Sequence, residues 1–183
     1  MKIIWIVLLI VLGMSFVWAQ SSSNRQATIN PQKFDAELLS QLIEGKINAL
    51  RTQKKRDQLA NNIILKKAAL TQTTYCADHK KLSHEQRNRK LRTPWERVAE
   101  AGGGFEIVGE NLAMIGFTIE TIDKQKRVLY PTYEEAAERI VNGWRKSKGH
   151  YKNILEKSYE QSGVVVILSE NAIYATQVFG KLK

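Results

Sequence analysis

Apolar residues recur every three or four positions from Phe34 through Leu38, Leu39, Leu42, Ile43 and Ile47 to Leu50, which predicts a helix ending near Thr52. Beyond Lys54-Lys55-Arg56 a second, longer helix is expected, with Leu59, Ile63, Ile64, Ala68, Tyr75, Cys76 and His79 on its inner stripe. Thr93-Pro94 opens a short third helix, with the threonine as cap and proline at the first helical position, and Gly102-Gly103-Gly104 ends it. Residues 105–117 read as a strand, interrupted by the polar Gly109-Glu110-Asn111. Residues 118–130 are polar and charged, and predict an exposed loop. Thr132 and Glu135 then form a capping box for a helix carrying Tyr133, Ala136, Ala137, Ile140, Val141 and Trp144, terminated at Gly149. Residues 164–168 and 172–179 are two apolar strands around Ser169-Glu170-Asn171, an antiparallel hairpin. Strands apolar on both faces need cover on both sides, so helices are expected above and below a small antiparallel sheet. This is an α+β chain built as three layers, α-β-α.

The start of the chain has a different pattern. Met1-Lys2 is followed by an unbroken apolar run over residues 3–12, and Val17-Trp18-Ala19 has small residues where a signal peptidase cuts. The run is shorter than the roughly 18 residues a membrane span needs. Residues 1–19 therefore read as a signal peptide cleaved after Ala19, residues 20–32 as a flexible lead-in, and residues 33–183 as a single domain. The expected product is secreted, extracellular or periplasmic according to the cell envelope, and not transmembrane once the signal is removed.

Composition narrows the chemistry. The chain has 183 residues, 28 Lys+Arg and 18 Asp+Glu, for a formal charge of +10. Outside the cytosol such a basic excess points away from nucleic acid and toward envelope polyanions or anionic membranes. The cations look dispersed along the sequence, as on a solvated surface. With one cysteine, Cys76, no intramolecular disulfide can form and a cysteine-rich zinc site is excluded. Cys76 and His79 share an apolar stripe and read as core residues. There is no GxSxG elbow, HExxH helix or phosphate-binding loop. What remains is His84 after a helix end, Glu110 inside an apolar run, and Ser147 and His150 near the end of the capped helix.

Five segments occur in order: Leu82-Ser83-His84, Thr93-Pro94-Trp95-Glu96-Arg97, Gly109-Glu110-Asn111-Leu112-Ala113, Trp144 through Leu155 with Ser147, Gly149 and His150, and Tyr174 through Gly180. Together they resemble the CAP superfamily of cysteine-rich secretory proteins, venom antigens and plant pathogenesis-related proteins, in its bacterial, disulfide-free branch. The resemblance implies an α-β-α sandwich in which His84, Glu110 and His150 face a common open cavity. Many eukaryotic members carry a second glutamate where this chain has Ser147.

Two imidazoles and a carboxylate can hold a divalent metal such as Zn²⁺, so His84, His150 and Glu110 are the candidate ligands. A serine cannot replace the missing carboxylate as a general base without its own activating base. The expected function is thus a secreted, non-catalytic binding module with a metal, lipid or envelope ligand in the His/Glu cavity. The alternative is a metal-assisted, peptidase-like hydrolase using the same residues. The resemblance accommodates both, since binding of sterols or fatty acids is associated with several members and proteolysis with some.

Overall fold

The computed structural model describes residues 24–170 and 172–183. The signal-peptide reading of residues 1–19 lies outside them. Five helices and two sheets are seen among the described residues: α1 (Ala36–Gln53), β1 (Ala60–Asn61), α2 (Ile63–Asp78), α3 (Pro94–Glu100), β2 (Phe105–Gly116), β3 (Thr118–Ile122), β4 (Gln125–Leu129), α4 (Tyr133–Lys146), α5 (Lys148–Leu155), β5 (Gln161–Leu168) and β6 (Ala172–Leu182). The main sheet has the order β1-β5-β6-β2, antiparallel except for the short β1–β5 pair. Helices α1, α4 and α5 cover one face, where Leu39, Ile43, Trp144 and Ile154 pack on Val164, Val166, Ile173 and Phe179. Helices α2 and α3 cover the other, through Leu65, Ala68, Ala69 and Val98 against Phe105 and Val178. The expected three-layer sandwich is therefore the fold.

Strand β6 explains the need for two covers. Ile173, Ala175 and Phe179 point into the first layer, while Tyr174 and Val178 point into the second. Edge strand β2 is protected by side chains from the helices rather than by another strand. Asn153 donates to the Glu110 carbonyl (3.2 Å), Trp144 Nε1 to that of Leu112 (2.9 Å) and Arg139 to that of Gly116 (2.8 Å). Three carbonyls along the open edge are thus occupied, which blunts it as a template for strand pairing.

Four local expectations are corrected. Residues 118–130 form the hairpin β3–β4, turned at Asp123 and Lys124, whose φ values of 50° and 65° suit a tight two-residue hairpin turn. Both its faces are exposed, so no apolar alternation marks it in the sequence. Gly149 does not end α4; that helix stops at Ser147, which also caps α5, and Gly149 lies within α5. The inner stripe of α2 is Leu65, Ala68, Ala69, Gln72, Thr73 and Cys76, one step round from the expected one, with Ile63 and His79 exposed. His79 stacks on Tyr75 at the surface, with ring centroids 4.1 Å apart. Cys76 is buried as expected, and burial pushes its thiol pKa up.

The described part of the lead-in is docked rather than flexible. Ile29 is only 2 % exposed and joins the core of α1 and α4. Its amide donates to the Pro131 carbonyl (2.9 Å), and Thr28 bridges Thr132. One apolar residue among polar neighbours is enough to seat the segment, because it fills a place in a core that would otherwise contain a void.

Candidate functional site

The candidate residues converge on β2, at the open edge of the main sheet. Glu110 sits in the strand opposite Val178 and points toward α3. Its side chain is 1 % exposed, and both of its oxygens have partners. Oε2 accepts from Arg97 Nη2 at 2.6 Å, and Oε1 faces His84 Nδ1 at 2.9 Å. Because a carboxylate ion-paired to arginine can only accept, His84 carries its proton on Nδ1 and leaves Nε2 free. His84 itself is 53 % exposed.

Arg97 is the residue that the sequence reading missed. Its side chain is fully buried, and besides Glu110 it gathers the carbonyls of Leu91 (2.9 Å), Arg92 (3.1 Å) and His84 (3.3 Å). One guanidinium thereby fixes both the carboxylate and the loop that carries His84. The planar, always-charged fork of arginine suits this multiple task. The sequence contained a signal, Arg97 next to buried Val98 in a seven-residue capped helix, but basic residues are too numerous here for one to stand out.

A second support lies under the same loop. Gln72, buried on α2, donates to the Ser83 carbonyl and accepts from Gln86 (2.9 Å), and the Cys76 thiol also approaches the Ser83 carbonyl, at 3.7 Å. These contacts give a reason for the polar residues on the inner stripe of α2.

His150 reaches the site from the opposite layer, in the first turn of α5. Its carbonyl accepts from Asn111 (3.1 Å), and Asn153 ties Asn111 to α5 at 2.9 Å. The His84 and His150 rings lie 6.4 Å apart, centroid to centroid, tilted by 55°. Burial, and then the nearby His84, lower the pKa of His150 below its ordinary value. Ser147 is the hinge between α4 and α5, with Oγ 3.5 Å from the His150 amide. A groove of about 830 Å³ lies elsewhere, between α4 and the β3–β4 hairpin, and none of the four candidate residues lines it.

These residues do not fit a resident zinc centre. Both Glu110 oxygens are already engaged, and the arginine beside it would repel a cation. Two imidazoles on one tetrahedral Zn²⁺ place their centroids about 5 Å apart, closer than here. Among the described residues, no three His, Cys, Asp or Glu come together as a metal-binding group. In this arrangement Glu110 holds His84 and Arg97, and both of its oxygens have partners.

The sequence profile of the cysteine-rich secretory protein family, CAP, matches residues 45–179. The chain belongs to this family. No curated protein sequence matches it. Among solved structures, this CAP domain is similar to an outer surface protein of Borrelia burgdorferi, with 20 % identity, a TM-score of 0.66, and coverage of 82 % of this chain and 98 % of the other. It is also similar to an extracellular, SCP-domain protein of Bacillus anthracis, at 22 % identity and a TM-score of 0.63. That match covers 85 % of this chain but 45 % of the other, so the chain spans less than half of that relative. NaASP2, solved with Zn²⁺, matches at 14 % identity and a TM-score of 0.49 over 79 % of this chain and 80 % of its own, too distant to bear on metal here. No helix among the described residues is long and apolar enough to cross a membrane.

Proposed function

We propose that this CAP protein is an extracellular, non-catalytic binding module whose ligand contacts are the exposed edges of His84 and His150. The observation that carries this reading is the engagement of Glu110. A hydrolase needs a group free to take a proton from water, within hydrogen-bonding reach of it. Glu110 is buried and holds Arg97 and His84, and Ser147 is a helix cap. What remains accessible is a pair of neighbouring imidazoles, that of His84 held from behind by Glu110, an arrangement suited to recognition of a lipid or envelope ligand. Secretion is supported by the pattern of residues 1–19 and by the extracellular or outer-surface description of the two better-matching relatives.

Zn²⁺ is a usable probe, because rotation of the exposed His84 ring would let it share a weakly held ion with His150, completed by water. Calorimetric titration should give weak uptake that disappears in a His84→Ala/His150→Ala variant. The same preparations, with and without Zn²⁺, should leave a peptide library intact. Tight Zn²⁺ binding would reveal a third ligand and overturn the geometry. Peptide cleavage that the double variant loses would establish the hydrolase instead.

A further inference from the structure

The basic excess is not dispersed in the folded protein. Residues 80–92 contain six Lys or Arg and one acid, Glu85, while residues 145–152 contain four and no acid. With ten Lys or Arg and one Glu, these two stretches account for +9 of the formal net charge of +10, leaving the rest of the chain close to neutral. The fold brings the first stretch up to the first turn of α5, since the rings of His84 and His150 are neighbours, while Arg145 and Lys146 line grooves along α1 and α4.

The first stretch is a rigid platform. The Gln86 amide donates to the Arg92 carbonyl (3.0 Å), and Arg97 and Gln72 hold the loop from beneath. Its cations project outward: Lys80, Lys81, Arg87, Arg89, Lys90 and Arg92 are all exposed. Among the described residues, acidic partners occur only for Arg92, with Glu85 at 3.3 Å, and Lys80, with Glu170 at 3.9 Å. Two large apolar side chains are exposed amid these charges, Leu82 at 38 % and Trp95 at 47 %.

We infer that the face formed by residues 80–95 docks on an anionic lipid bilayer, with headgroup phosphates against its cations and Trp95 and Leu82 at the headgroup level. A soluble polyanion would use the charges but leave both apolar side chains in water. The bilayer interface accommodates both, and tryptophan is enriched there. This docking is independent of what the two histidines hold.

The test uses residues 20–183, which contain every described residue and the whole core, with vesicles of phosphatidylcholine containing about a quarter phosphatidylglycerol. Trp95 and Trp144 are the tryptophans in this span, and Trp144 is buried, so a fluorescence change on binding reports Trp95. Binding should shift the emission to the blue and be largely lost between about 0.1 M and about 1 M salt. An Arg87→Gln/Arg89→Gln/Lys90→Gln variant should partition about a hundred-fold more weakly, at the usual worth of a cation near such a surface. A Lys124→Gln/Lys126→Gln/Arg127→Gln variant, with the same charge change on the exposed hairpin, should lose less than about three-fold. Equal losses in both variants would make the attraction a matter of net charge and overturn the proposal. So would binding without a blue shift, or soluble polyphosphate displacing the vesicles while binding the Trp95→Ala variant undiminished, which would assign the face to a polymer.

Discussion

His150 shows how a single side chain acquires its chemistry from position. The ring lies between two layers, where burial and the neighbouring His84 disfavour its charged form. Its folded pKa is below the ordinary 6.5, so between the two values the unfolded chain binds more protons than the folded one. Its contribution to stability is complete above 6.5 and is lost as pH falls through the folded pKa. A His150→Gln variant should therefore lose less stability than the parent between about pH 7.5 and about pH 5, as read by urea midpoints. Parallel pH profiles for the two proteins would show that the imidazole is not the source. At this scale the sequence was partly legible. His84, Glu110 and His150 could be picked out as polar residues at odd places in apolar patterns, and the family resemblance grouped them. The role of Glu110 could not be read, because it depends on Arg97, thirteen residues away, whose place in a short capped helix is a weak signal among so many cations.

The elements show the same division between what periodicity reveals and what contact decides. Helix α4 was legible almost to its ends, because its threonine cap and apolar stripe are both local features. Helix α2 was legible as a helix but not in its facing, since Gln72 and Thr73 are buried and count as polar in any pattern. Its facing is set by its closeness to β5. A Cβ added at Gly163 would run into the Lys66 amide nitrogen and the Leu65 carbonyl carbon, both backbone atoms that cannot move without shifting the helix. Gly163→Ala should therefore cost about 3 kcal/mol, the upper end for overpacking a close contact. The displaced α2 would also disturb the His84 loop through Gln72. Urea denaturation measures the first effect, and an unchanged midpoint would mean that the two backbones are less tightly apposed than described.

At the scale of the whole molecule, the sheet divides the interior into two apolar layers, and this raises the question of whether they unfold together. Strand β6 contributes alternate residues to both, so neither layer can lose its packing while the other keeps its sheet intact. The docked lead-in extends that unity to the start of the described chain, because Ile29 enters the layer of α1 and α4 while Ala27 and Ile29 hydrogen-bond around Pro131 and Tyr133. Ile29→Ala should destabilise the protein by about 2–5 kcal/mol, the range for truncating a buried isoleucine. If the domain is one cooperative unit, Ile29→Ala and Gly163→Ala, on opposite sides of the sheet, should each lower the midpoint of a single transition without changing its slope. Fluorescence of buried Trp144 and far-ultraviolet circular dichroism should then give coincident curves for each variant. Two separated transitions in the Ile29 variant, with Trp144 reporting only the first, would show that the layer of α1 and α4 melts independently of the layer that holds Arg97 and Glu110.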